Sequence, residues 1–516
     1  MERSEPTAWP PPADASADDP AGDALDALQG SSIGRNLLHL LFSQVATGAF
    51  TTVLSIVQPR FLGDVQQGQL GLAASIWAIS EVLTALGTSY YLTLAIARDR
   101  RRGMSLLGPV IAMRVTTFAV VAAVIGGGIV VSGANVRFAE IMAIQGAMML
   151  LGTISDAIIA AFTGLEKLSV PATATVVARI FGTTASIGAL LAGGDARSIV
   201  AIGATANLLL VVVLTRAIRR VAPARSRPSR TDATVILRGS VGFLLAALIV
   251  VVYRQIDTIV IALFVEREVL GWYATADSLA GSLLFPITIA MSSILPVIGR
   301  LHVEDPAAMR ELVRRSVATL LVAAVPIGVG LMIIGRPLAP LLYGEEFRPT
   351  GPVLVVLGPV IAMTFFTVLF GSIALATERQ ALWNTLMVVA IVLTIPLDVV
   401  LVPWTERAYG NGAIGGALAY VVTEGLMVVV GLWRVVPYVV DRTMGWRAAR
   451  VLGAAGVMAA AAWPVHQRFV AIPIAVAVVV YGVAIVVLGV VTDDDKQIAA
   501  RALARVGIRT GWGDGA

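Results

Sequence analysis

Apolar residues along this chain arrive in blocks of about 20. A helix rising ~1.5 Å per residue needs that length to cross a hydrocarbon core ~30 Å thick. Reading the blocks between charged or turn-rich breaks predicts 14 spans, at about 37–58, 70–94, 105–131, 138–162, 170–192, 198–215, 240–264, 270–295, 316–335, 351–376, 381–403, 413–433, 448–465 and 470–491. The block 448–465 is rich in alanine and holds Pro464 near its end, so twelve is the alternative count. The expected fold class is an all-α polytopic membrane protein.

Composition agrees. Of 516 residues, 57% are hydrophobic and 14% charged, where a soluble chain carries about 25% charge. This excludes a soluble enzyme, a nucleic-acid-binding module and a disordered protein. The net charge of +5 then marks cytoplasmic loops, since positively charged loops stay inside. With no cysteine, disulfides, thiolate catalysis and cysteine-ligated metals are ruled out, and His39, His302 and His466 lie too far apart in sequence to suggest a metal cluster. No cofactor is expected.

If the N-terminus is inside, loops on that side hold nearly three times as many basic residues as the outer loops. The expected location is the cytoplasmic membrane, with multiple passes and both termini cytoplasmic. The first 30 residues hold seven acids and one arginine, and read as a disordered tail without the basic start and early apolar stretch of a signal peptide. The organisation predicted is an acidic cytoplasmic tail at 1–34, a lobe of spans 1–6 at 35–215, a basic cytoplasmic linker at 216–238, and a lobe of spans 7–12 at 239–434. Two additional helices follow at 435–492 and a cytoplasmic tail at 493–516, where Arg501, Arg505 and Arg509 recur at helical spacing.

Shifting the second half back by 203 positions sets Arg35 on Arg238, Gly68-Gln69-Leu70 on Gly271-Trp272-Tyr273, and Ala73 on Ala276. Six-span halves in one orientation imply a parallel pseudo-twofold repeat about an axis normal to the membrane, a transporter design.

Several loop motifs carry a resemblance. Pro59-Arg60-Phe61-Leu62-Gly63 and Gly68-Gln69-Leu70-Gly71 resemble the first outer hairpin of polysaccharide flippases. Tyr253-Arg254-Gln255-Ile256-Asp257-Thr258 and Gly271-Trp272-Tyr273-Ala274-Thr275-Ala276 are similar to their span 7 and the hairpin after it. Leu341-Leu342-Tyr343-Gly344-Glu345-Glu346-Phe347 resembles an outer turn. The stretch Leu397-Asp398-Val399 through Pro403, with Tyr409-Gly410-Asn411-Gly412-Ala413-Ile414-Gly415-Gly416-Ala417, resembles the hairpin of spans 11 and 12. Over about residues 35–435 the chain resembles the Wzx-like oligosaccharide flippases of the multidrug, oligosaccharidyl-lipid and polysaccharide exporter superfamily. Asp398 stands where such proteins often carry asparagine. The resemblance implies translocation of an undecaprenyl-diphosphate-linked oligosaccharide by alternating access. The partners it implies are that lipid, the surrounding membrane lipids and polysaccharide polymerase machinery, without nucleic acid.

Charges inside apolar spans are costly unless paired or hydrated, and so mark candidate sites. Arg114, Arg179 and Arg254 lie within spans, and a guanidinium presents a fixed fork of donors that suits a diphosphate. Glu81, Asp156, Asp257, Asp277, Asp398 and Glu424 also lie within spans. They are candidates either for ion coupling or for structural pairing; Arg254 and Asp257, three apart, share a helix face. Pro109, Pro286, Pro326, Pro359 and Pro396 are possible hinges, and Gly126-Gly127-Gly128 and Gly415-Gly416 are candidate points of close helix packing. No HExxH, Gly-x-Ser-x-Gly or Walker motif is present, so the chain is not expected to be an enzyme. The alternatives to a flippase are a cation-coupled drug exporter and an integral membrane enzyme of envelope glycan assembly.

Overall fold

The structure, a computed structural model, describes residues 32–221, 230–466 and 468–490. The acidic segment 1–31, the middle of the basic linker and the C-terminal tail with Arg501, Arg505 and Arg509 lie outside the described residues. Among the described residues the regular structure is helical, with no strand.

Helix α1 (Ser32–Ala85) is too long at ~81 Å for one crossing, and it reverses at Gly63, whose φ of 76° favours a residue without Cβ. The reversal is visible in Gln58 Nε2, which donates to Gln67 Oε1 at 3.1 Å; a straight helix would hold those residues ~13 Å apart. The outer loop expected near residues 59–69 is thus a one-residue turn, with Pro59 still inside the helix. Span 2 continues through a break at Leu86 and Gly87, both at positive φ, into α2 (Thr88–Arg98).

A short α3 (Arg100–Ser105) precedes α4 (Leu107–Val131), α5 (Val136–Gly164), α6 (Ser169–Leu191) and α7 (Ala196–Val221). The second half comprises α8 (Arg230–Ile261), α9 (Arg267–Leu283), α10 (Phe285–Glu304), α11 (Pro306–Tyr343), α12 (Thr350–Ala376), α13 (Gln380–Tyr409) and α14 (Ala413–Arg434). Two further helices, α15 (Arg442–Ala462) and α16 (Ala471–Val487), pack on α11, where the Tyr481 hydroxyl donates to the Val322 carbonyl at 2.8 Å.

Twelve helical stretches are long and apolar enough to cross a membrane. The first contains the hairpin at Gly63, and α16, at 17 residues, is a shorter apolar helix beyond the twelve. Separating the hairpin arms and adding α16 recovers the fourteen apolar positions of the hydropathy reading. The protein is therefore an all-α, multi-pass membrane protein. The linker expected at 216–238 is shorter than its basic composition suggests, being helical through Val221 and again from Arg230.

Pro109 and Pro286 fall in the first turns of α4 and α10, where the amide would have no helical partner, so neither bends a helix interior. Pro326, Pro359 and Pro396 do lie inside helices. Of the glycine runs, Gly415 and Gly416 pack as expected: a Cβ would lie 2.4 Å from the Leu401 carbonyl oxygen and 2.3 Å from Ile261 Cδ1, respectively. Gly126, Gly127 and Gly128 do not, since a Cβ on any of them meets nothing within 4 Å.

The lobes meet where the internal repeat is clearest. A Cβ on Gly68 would lie 2.0 Å from the Arg267 carbonyl oxygen, and one on Gly271 would lie 2.0 Å from the Asp64 carbonyl oxygen. Residues 64 and 267, like 68 and 271, differ by 203. This is the reciprocal contact that a twofold operator imposes. Gly71 and Ala274, another pair at that offset, touch across the same seam. At this end Trp272 Nε1 donates to Asp64 Oδ2 at 3.1 Å, and Arg60 Nη1 to the carbonyls of Leu341 and Leu342 at 3.0 and 3.3 Å.

Within the first lobe, Arg114 is wholly buried and joins three helices. Its Nε and Nη2 donate to Thr88 Oγ1 at 3.0 and 2.9 Å, Nη2 also to Ser89 Oγ at 2.6 Å, and Nη1 to the Thr153 carbonyl at 2.5 Å and Asp156 Oδ2 at 3.2 Å. Ser89 in turn donates to Asp156. A guanidinium has five N–H donors, and all five are taken. The network holds α4 and α5 to the start of α2, immediately after the left-handed break in span 2.

Two pairs of substitutions test these contacts by their effect on thermal unfolding in detergent. Gly271→Ala should destabilise by about 1–3 kcal/mol or more, because backbone rather than a flexible side chain occupies the space, while Gly127→Ala leaves the transition unmoved. Arg114→Met should cost about 3 kcal/mol by breaking a buried charged network. Arg114→Lys should recover less than half of that, since an ammonium cannot span the same acceptors.

Candidate functional site

Two adjoining chambers lie between the lobes. One, of about 440 Å³, is walled by α1, α5, α6 and α7 and closed by Ala274 and Ser278 of α9; its polar lining includes Gln58, Gln67, Gln145, Arg179, Thr183 and Asn207. The other, of about 830 Å³, lies toward the end of span 4 and the start of span 5 and holds Arg254 and Asp277 among hydroxyls of α1, α9 and α10. Thr175 and Ser278 line both, so the two adjoin.

The three span arginines separate. Arg114 is spent on the helix network and has no donor left for a ligand, against the expectation that it binds a headgroup. Arg179, one turn beyond Thr175 on α6, is exposed to the first chamber and makes no hydrogen bond or ion pair with the described residues. Arg254 faces the second chamber, within electrostatic reach of Asp277, Glu424 and Tyr420.

The acids separate as well. Asp156, half exposed, serves Arg114. Glu81 and Asn207 flank Gly152, their Oε1 and Nδ2 at 3.9 and 3.7 Å from the point where a Cβ would sit. Asp257, Asp398 and Glu424 are buried inside the second lobe, on α8, α13 and α14. The Tyr273 hydroxyl points to Asp257 Oδ2 at 3.5 Å, and Tyr253 donates to Glu424 Oε1 at 2.9 Å. Asp257 Oδ1 and both oxygens of Asp398 have no hydrogen-bond partner among the described residues. Glu424 sits beside Thr364 and Thr367, whose hydroxyls donate to the carbonyls of Val360 and Thr364. The same-face pairing expected of Arg254 and Asp257 does not form: Arg254 turns to the chamber, Asp257 into the lobe.

An ionised carboxylate without a partner in a protein interior is strongly disfavoured. Asp257 and Asp398 lie within electrostatic reach of each other. Among the described residues no three histidine, cysteine or acidic side chains are grouped to hold a metal ion. A reading based on charge overlooks the amides Gln58, Gln67, Gln145 and Asn207 and the tyrosines Tyr253 and Tyr273. Their one signal in the sequence is that polar side chains interrupt apolar spans.

Comparison with known proteins places this architecture. The probable low-salt glycan biosynthesis flippase Agl15 of Haloferax volcanii is 21% identical over 212 residues, which are 41% of this chain and 43% of that protein; the match thus spans under half of the relative's length. The lipid II flippase MurJ, in an inward closed conformation, superposes with a TM-score of 0.70 at 12% identity, over 91% of this chain and 99% of that one. An inward-facing multidrug resistance MATE transporter of the MOP superfamily gives a TM-score of 0.59 at 12% identity, over 80% and 99% of the two chains. At such identities the likeness is one of fold. The family described as polysaccharide biosynthesis protein matches residues 57–352, more than half of the sequence, and the chain belongs to that family.

Proposed function

We propose that this protein is a flippase that carries a lipid-linked oligosaccharide, of the undecaprenyl-diphosphate type, across the cytoplasmic membrane for polysaccharide biosynthesis. The observation that carries this reading is the pair Arg179 and Arg254 on the walls of two adjoining chambers between the lobes. Arg179, without a partner among the described residues, is a cation held ready for an anion. Diphosphate oxygens would be drawn to the junction of the chambers, where fork-shaped donors approach from both lobes. An apolar groove of about 510 Å³ between α9, α11, α15 and α16, lined by Leu283, Ile334, Met458 and Val478, suits the isoprenoid tail.

In this reading the lobes, at 35–215 and 239–434, rock about the glycine seam, with α15 and α16 as additions and both termini cytoplasmic. The headgroup drives the exchange by binding the two states unequally. The protein moves its lipid and makes or breaks no bond in it, and the lipid passes to polysaccharide polymerase machinery outside. The buried carboxylates Asp257 and Asp398 would carry the coupling cation, with Glu424 and Asp277 in support. Those same carboxylates favour a second reading, a cation-coupled drug exporter.

A leaflet-resolved assay of a labelled undecaprenyl-diphosphate oligosaccharide in proteoliposomes tests the proposal. Arg179→Ala and Arg254→Ala should each slow transfer about tenfold or more, the effect of losing one charge-assisted contact of about 1.5–3 kcal/mol. Asp398→Asn should abolish the response of transfer to an imposed proton or sodium gradient. Gradient-driven dye efflux indifferent to both arginine changes, with no lipid transfer, would establish the exporter instead.

A further inference from the structure

The first chamber has an uncommon lining. Four carboxamide-bearing or amide-adjacent faces converge there, from Gln58 and Gln67 on the arms of α1, Gln145 on α5 and Asn207 on α7, with the Thr183 hydroxyl between them. Among the described residues no carboxylate lines it, and Arg179 is its one cation. Several of these groups retain bonding capacity. Gln58 and Gln67 spend one donor and one acceptor on each other, and Asn207 spends a donor on the Met148 carbonyl at 3.0 Å. Gln145 makes no hydrogen bond with the described residues, and the buried Thr183 Oγ1 has no partner among them. A carboxamide offers two donors and an acceptor oxygen with two lone pairs.

The fold does not require these amides. At the 203-residue offset of the repeat, Gln58 and Gln67 correspond to Ile261 and Leu270, both wholly buried. The same place on the second lobe is built from hydrocarbon, and is well packed. The polar pair is thus particular to the first lobe, where it lines the chamber.

We infer that this chamber is a binding site for the glycan of the transported lipid, and that it selects uncharged, hydroxyl-rich sugars. Rested on the flippase reading, the assignment divides the headgroup: phosphates at the junction near Arg179 and Arg254, sugar among the amides of the first lobe. A hydroxyl is both donor and acceptor, as is a carboxamide, so each sugar hydroxyl can be matched whichever way it points. A uronic acid is matched less well, since its carboxylate can only accept from the amide N–H groups and, once stripped of water, would call for a cation to offset its charge. Arg179 is already committed to phosphate. The volume of about 440 Å³ lies within the ordinary range for small-molecule sites.

The test is equilibrium binding to the purified full chain in nanodiscs, by native mass spectrometry. Three probes are used: undecaprenyl diphosphate bearing a neutral N-acetylhexosamine disaccharide, the same lipid bearing a uronic acid disaccharide, and undecaprenyl diphosphate without sugar. The neutral glycolipid should bind at least tenfold more tightly than the bare lipid, and the uronate no more tightly than the bare lipid. Gln67→Leu and Asn207→Leu should erase most of the gain while leaving the bare lipid's affinity within twofold. Gln145→Leu, which breaks no hydrogen bond with the described residues, should lower the gain severalfold and guards against loss of fold. Arg179→Ala should weaken all three lipids alike. Equal binding of bare and neutral lipids by the wild type, or tighter binding of the uronate, would overturn the glycan site while leaving the flippase reading standing. Retention of the neutral preference in the Gln67, Asn207 and Gln145 variants would overturn it too. Failure of the wild type to hold any of the three lipids would defeat the flippase reading, and this inference with it.

Discussion

The structure depends on one close approach, that of the backbone at Gly68 to the backbone at Gly271. In a bilayer, helices gain little from hiding apolar side chains, because lipid is as apolar as leucine, so association rests on tight packing and on hydrogen bonds. The two glycines let main chains touch where any side chain would intrude, and the contact is reciprocal about the repeat axis. Around it lie the bonds that close this end, from Trp272 to Asp64 and from Arg60 to the carbonyls of Leu341 and Leu342. With the lobes joined there, the space between them is left for the chambers.

Apolar block length made the helices legible, because the bilayer imposes one length on every crossing. The glycine offset of 203 was legible for a related reason: a repeat axis needs small residues at equivalent points. What stayed hidden depends on the partner rather than on the residue. Gly126-Gly127-Gly128 and Gly415-Gly416 look alike as text, yet the first run faces open space and the second meets Leu401 and Ile261. Likewise the turn at Gly63 could be placed only to within a loop, because Pro59 reads as a helix end and is in fact carried inside the helix.

The arginines show the same limit at the candidate site. In sequence, Arg114 and Arg179 are equivalent, each about nine residues into a span. In three dimensions, Arg114 finds Thr88, Ser89, Thr153 and Asp156, contributed by two other helices, and every donor is satisfied. Arg179 meets a chamber instead. What separates a structural from a ligand-facing arginine is therefore the supply of acceptors around it. That supply is a property of neighbouring helices and has no local signature.

The two lobes share an architecture but not a chemistry, and the repeat makes the difference measurable position by position. Where the first lobe carries Gln58 and Gln67, the second carries Ile261 and Leu270; where the second carries Asp257 and Asp277, the first carries Leu54 and Ala74. Neither set is needed to build a lobe, since the twin does without it. At these paired positions the first lobe carries neutral hydrogen-bonding groups and the second carries carboxylates. A repeat can diverge in this way because the helices are held together elsewhere: the seam glycines and the apolar faces packed around them occupy other positions, so a lining residue can change its chemistry without disturbing the contact between lobes.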